Sequence, residues 1–120
     1  MIQRRLSQAC AAILIAAPLA GGALAHHGWS EYETSKPLTL TGVVKESGYE
    51  HPHGHVRMQA PGKTWNVILA PPSRMERRGL DKGMLKPGAS IGVEGYANRD
   101  KPGEMRAERV IVNGKTIELR

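Results

Sequence analysis

The 120 residues carry 17 Lys and Arg against 11 Asp and Glu, a formal net charge of +6, with 14 glycines, 8 prolines, one cysteine and no phenylalanine. That length accommodates one small domain, and a lone cysteine excludes an internal disulfide. The positive charge is dispersed (Lys36, Lys45, Arg57, Arg74, Arg99, Arg109), as on a solvated surface rather than a nucleic-acid footprint, so no nucleic-acid partner is expected.

Residues 1–25 read as a secretory signal peptide. Arg4 and Arg5 precede the apolar run Ala11-Ala12-Ile13-Leu14-Ile15-Ala16-Ala17, and Pro18 and Gly21-Gly22 break it ahead of Ala23-Leu24-Ala25. The run is short and interrupted compared with a membrane span of about 20 residues, so no transmembrane segment is expected after processing. Leu6-Ser7-Gln8 supplies little of a twin-arginine signal, and Cys10 precedes the apolar core, which argues against a lipoprotein. Cleavage after Ala25 would deliver residues 26–120 to the periplasm without cysteine. A metal site there must then use nitrogen, oxygen or Met sulfur.

An N-terminal segment, 26–36, leads into a domain expected over 37–120. "PLTLTGVVKESGYE" reads as a long first strand, with Gly42 expected at a bulge or bend. A second run, His55 to Gln59, and a third, Thr64 to Ala70, flank the turn Ala60-Pro61-Gly62-Lys63. If Gln59 faces Thr64, then Met58 faces Trp65 and Val56 faces Val67 on the core side, while His53, His55, Arg57, Asn66 and Ile68 share the other face. Ser73 with Glu76 has the form of a capping box for a short helix that Gly79 would end, with Met75 and Leu80 inward. Ile91, Val93 and Gly95 alternate with polar positions. After the loop "NRDKPGE" comes "MRAERVIV", and Asn113-Gly114 signals a type I′ hairpin before "KTIELR". The order predicts a mainly β protein, a small five-stranded Greek-key barrel of the OB-fold type with one short helix between the third and fourth strands. A small sandwich would give a similar string. Trp29, outside the strand pattern, is expected to pack the leading segment against the barrel.

All five histidines fall in two clusters, His26-His27 and His51-Pro52-His53-Gly54-His55. Cleavage after Ala25 makes His26 the first residue, whose α-amine and imidazole then chelate one ion. Their reference pKa values of about 7.7–8.0 and 6.5 make deprotonation cheap near neutral pH. A third imidazole from the second cluster would complete a T-shaped three-nitrogen set, a histidine brace, whose nitrogen-rich tetragonal geometry favours Cu(II). Alternatively His51, His53 and His55 by themselves would hold Zn²⁺ or Cu²⁺. The competing reading is a solvated polar turn. Met58, on the core face, and the scattered Met75, Met84 and Met105 disfavour a Cu(I) site.

The stretches "HHGWSEYETSKPLTLTG", "HPHG", "LAPPSRMERRGL" and "LKPG…VEGY" together resemble a family of small exported bacterial proteins called domain of unknown function 6152. The resemblance implies an OB-like fold. It matches the Pro52-His53 pair and not His51, which ranks His26 and His53 first as ligands, His27 next, and His51 and His55 as additions. No nucleophile elbow, cysteine nucleophile or phosphate loop is present, so no enzyme is expected. The function expected is a periplasmic metal-binding protein for copper buffering, uptake or delivery. Copper is the expected cofactor, zinc the other ion these donors would accept, and an envelope or membrane copper-handling protein the expected partner. The alternative is an envelope interaction module, in which the barrel or Arg74, Arg77 and Arg78 contact a protein or anionic ligand.

Overall fold

The computed structural model describes residues 28–120; the expected leader over 1–25, His26 and His27 lie outside them. A single 3₁₀ turn, Trp29–Glu31, precedes β1 (Leu38–Gly48), β2 (His55–Ala60) and β3 (Lys63–Ile68). The helix α1 (Pro72–Arg78) and a second 3₁₀ turn, Lys82–Leu85, lead to β4 (Ser90–Ala97), β5 (Glu104–Val112) and β6 (Lys115–Glu118). The sheet runs β3-β2-β1-β4-β5-β6, and a further β3–β5 pairing, parallel over Asn66–Ile68 and Glu104–Arg106, closes the first five strands into a barrel. This is the connectivity expected of an OB-fold.

The hairpin register is the expected one: Gln59 pairs with Thr64, Met58 with Trp65 and Val56 with Val67. Period-2 alternation then buries Val56, Met58 and Val67 completely. Asn113 and Gly114 both take positive φ, 51° and 74°, as a type I′ turn requires.

Closure depends on two irregularities. In β4–β5 the register slips between Glu94, opposite Arg109, and Gly95, opposite Ala107, so Glu108 is an extra residue. The slip switches the inward parity of β5 from Met105 and Ala107 to Val110 and Val112. The resulting bend swings the start of β5 onto β3. In β1 the slip falls between Val44 and Glu46, not at Gly42 as expected from sequence. Gly42 instead marks a close approach, since a Cβ there would meet the carbonyl oxygen of Gln59 on the neighbouring strand.

Helix α1 puts Met75 into the core, and the segment after it adds Leu80 and, from the second 3₁₀ turn, Leu85. The expected capping box does not form. Pro71 is the N-cap with no side-chain cap hydrogen bond, because Pro71 and Pro72 already set φ for the first turn. Gly79 ends the helix in the left-handed region at φ 88°, as expected. No helix among the described residues is long and apolar enough to cross a membrane.

Candidate functional site

A groove of about 610 Å³ lies on the outer face of β2 and β3. His55, Arg57, Asn66 and Ile68 form its floor, Pro52 and His53 come from the β1–β2 loop, Lys101 and Glu104 from the β4–β5 loop, and Glu31 and Tyr32 from the leading segment. Strands 2 and 3 with these two loops are the surface on which OB-folds carry ligands.

Local structure aims the loop histidines. Gly54 lies against the Met75 methyl, its N–H donates to the Ala70 carbonyl at 3.0 Å, and its carbonyl accepts from Leu69 at 2.8 Å. The Tyr49 hydroxyl donates to the Leu80 carbonyl at 2.7 Å, tying the same loop to the end of the helix. His51–Pro52 is a cis peptide. The His55 ring lies over Gly48, where any Cβ would meet it, with Nδ1 3.6 Å from a Glu50 carboxylate oxygen.

The opposite wall is set by Asn98. Its side-chain oxygen accepts from the backbone N–H of Asp100 and of Lys101, each at 2.9 Å, and its amide donates to Glu104 at 2.8 Å. The leading segment is fastened to this loop by the Tyr32–Asn98 bridge, by Glu33 N–H donating to the Ala97 carbonyl and by Arg99 N–H donating to the Glu31 carbonyl, both at 2.9 Å.

Behind the groove stands Arg106, 7% exposed although it is a charged residue on an outward strand position. Its Nη2 is 3.4 Å from His53 Nε2. A guanidinium has only donors, so this contact is a hydrogen bond when Nε2 carries no proton. The Trp29 ring covers the guanidinium, with the central carbon 4.4 Å from the ring centroid. Arg120 stacks on Trp29 at 4.5 Å, and Tyr96 meets it edge-on at 5.9 Å. Burial pulls the Arg106 pKa downward, and the neighbouring Arg74 and Arg120 charges act in the same direction. The expectation that Trp29 packs the leading segment on the barrel therefore holds, with arginines as its principal partners.

The Tyr32 hydroxyl donates to Glu104 at 3.0 Å. Burial, followed by that hydrogen bond and the Glu104 charge, pushes the phenol from 10.0 up to about 12. A raised folded-state value means that folding favours the neutral phenol; this contribution is complete below pH 10 and is lost as pH rises to about 12. Tyr32→Phe is expected to cost about 1–2 kcal/mol near neutral pH by urea denaturation. The gap between parent and variant should close across that alkaline window, and a gap still undiminished above it would refute the assignment.

Of the predicted ligands, His26 and His27 lie outside the described residues. His53 and His55 both line the groove, while His51 is exposed and is not among its lining residues. Among the described residues no three of His, Cys, Asp and Glu are placed to hold a metal, so the three loop histidines do not form a set by themselves. The reason is visible in their contacts, with His53 turned to Arg106 and His55 to Glu50. Two of the three helix arginines are committed to the far end of the chain: Arg74 donates to the Leu119 carbonyl at 3.2 Å and Arg78 to that of Arg120 at 3.3 Å. Arg106, Tyr32, Lys101, Glu104 and Glu31 were not singled out from sequence. The OB connectivity was the available signal, because it sets the β4–β5 loop beside the β1–β2 loop.

The profile of a family of unknown function, DUF6152, matches residues 14–106. No curated protein matches the chain. Among solved structures, the fold is similar to part of TiaS in its complex with tRNA and ATP, at TM-score 0.51 and 17% identity over 73% of this chain and 19% of that one. A TiaS mutant lacking its ZRD, in complex with agmatine, aligns at TM-score 0.50 and 18% identity over 73% of this chain and 25% of that one. The chain thus spans a quarter or less of these proteins, and at such identity the likeness concerns the fold alone.

Proposed function

The chain belongs to the family of unknown function DUF6152, matched from residue 14 to residue 106, and from that premise we propose that it is an exported periplasmic protein that holds Cu(II). The donors are the α-amine and imidazole of His26, exposed by cleavage after Ala25, and the imidazole of His53. Its roles would be copper buffering, uptake or delivery to an envelope copper-handling protein.

The supporting observation is the Trp29–Arg106–His53 series of contacts. It anchors the chain three residues after His26 to the guanidinium that touches His53. Two further facts agree with it. Arg106 holds the His53 ring at the groove wall, and His55 lies on the same groove for an additional contact. The ion would be held by neutral nitrogens, a set that suits Cu(II) better than other first-row ions. A metal on Nε2 would displace Arg106, and one on Nδ1 would leave the ring proton on Nε2, facing the donors of Arg106, so in either mode that contact gives way. The alternative, an anion-binding face on α1, has less support because Arg74 and Arg78 already serve the C-terminal backbone.

The test is Cu²⁺ titration of exported protein whose intact mass shows His26 as its first residue, beside a form with one Met ahead of His26. The extra residue removes the amine and is expected to weaken binding about a hundredfold, or about 2.7 kcal/mol. His53→Ala is expected to weaken it comparably and His51→Ala to leave it unchanged. Equal tight affinity of the two forms, or a mature chain beginning elsewhere, rules out the brace.

A further inference from the structure

Resting on the copper reading, we propose that the groove also takes a small carboxylate-bearing organic anion, gripped by Arg57 and Lys101 and lying beside the metal. At about 610 Å³ the groove is of the size that accepts small organic molecules, about 300–1,000 Å³, and far exceeds what one ion and its waters fill. Its surface joins apolar patches from Pro52 and Ile68 to the polar ends of Asn66, Arg57 and Lys101, the mixture that orients a small polar ligand.

Charge selects the class. An ion held by an amine and imidazoles keeps its full double positive charge, and the nearest buried charge is also positive, Arg106, itself close to Arg74 and Arg120. The acids on the groove wall offset this incompletely. Glu31 and Glu104 are matched in the lining by Arg57 and Lys101, so the charge of the ion itself stays uncompensated. A cation in this setting calls for a companion anion. A dicarboxylate suits, with one end toward the ion and the other accepting the two-pronged hydrogen bonds of Arg57. The present partner of Arg57 is Glu46, at 3.6 Å with side chains 54% and 66% exposed, a weak pair that a ligand carboxylate readily replaces. Ring ligands that need stacking fit less well. Trp29 is enclosed by arginines and Tyr96, Trp65 lies beneath Lys63, and neither lines the groove.

The probe is succinate, titrated into metal-free protein beginning at His26 and followed by amide chemical shifts. Saturable shifts are expected at Arg57, Asn66, Ile68 and Lys101. The double variant Arg57→Gln with Lys101→Gln, both exposed positions, should bind succinate at least about tenfold more weakly, and Cu(II)-loaded protein should bind it about tenfold more tightly by calorimetry. Absence of shifts, or equal binding by the double variant, overturns the anion site, and equal affinity with and without Cu(II) overturns its placement beside the metal. The first arm contains no metal, so its failure is distinct from failure of the copper reading, which shows only in the Cu²⁺ titration.

Discussion

Gly95→Ala is expected to lower the melting temperature by about 15 °C, a loss of about 3 kcal/mol for a domain of this size. Gly95 sits at the register slip where β4 meets both β1 and β5, opposite Leu38 on one side and Ala107 on the other. A Cβ there would meet the Arg106 carbonyl oxygen, with the Ala107 Cα and the Arg106 carbonyl carbon each 2.9 Å away. All three are backbone atoms of a paired strand, so no side-chain rotation relieves the overlap and β5 must move. What moves is the segment that closes the barrel on β3 and carries Arg106 to His53. The loss is a large share of a total stability of about 5–15 kcal/mol. Gly83→Ala is the control, since nothing lies within 4 Å of a Cβ there, and it should stay within about 0.5 kcal/mol of the parent. Paired thermal melts decide the matter; a Gly95→Ala protein melting within a few degrees of the control would show that the strands tolerate separation.

Trp29→Ala is expected to cost about 2 kcal/mol of stability and to weaken Cu(II) binding about thirtyfold. The ring contributes to two cation–π contacts and one edge-on aromatic contact, worth about 0.5–2 kcal/mol and 0.5–1.5 kcal/mol each and not strictly additive. Without the ring, Arg106 regains water on one side and the leading segment keeps its bonds to Ala97, Asn98, Arg99 and Glu104. The amine would then search a larger volume before meeting His53, which lowers its effective concentration. Trp29→Phe should recover more than half of both losses. Urea denaturation reads the first and Cu²⁺ titration the second; a Trp29→Ala protein with parental affinity would separate the segment from the metal.

The parts of the site that were legible are those fixed by local periodicity. Once the turn at Pro61-Gly62 set the register, alternation placed His55, Arg57, Asn66 and Ile68 together, and all four line the groove with His53. The inward position of Met75 followed from helix geometry in the same way, and that of Leu80 from the turn Gly79 makes at the helix end, where the Leu80 N–H donates to the Met75 carbonyl. The illegible parts are supplied across the fold. Arg106 occupies an outward position on β5, which in a sequence reads as a solvated arginine. It is covered by Trp29, 77 positions earlier in the chain. Tyr32 and Glu104 meet over a separation of 72 residues. Ser73 failed as a cap for a local reason, because two prolines had already shaped the turn it would have capped. Gly42 is needed for proximity rather than curvature, and both demands leave the same mark in a sequence.

The indole of Trp29 rests 4.5 Å from the guanidinium of Arg120, so the first and last described stretches of the polypeptide are neighbours in space. A circular permutant that joins them by a short linker and opens new termini at the exposed Pro61-Gly62 turn would keep the strand neighbours and abolish the free α-amine that the proposed brace uses. Such a rearranged chain separates architecture from chemistry, since it retains the barrel and cannot form the brace.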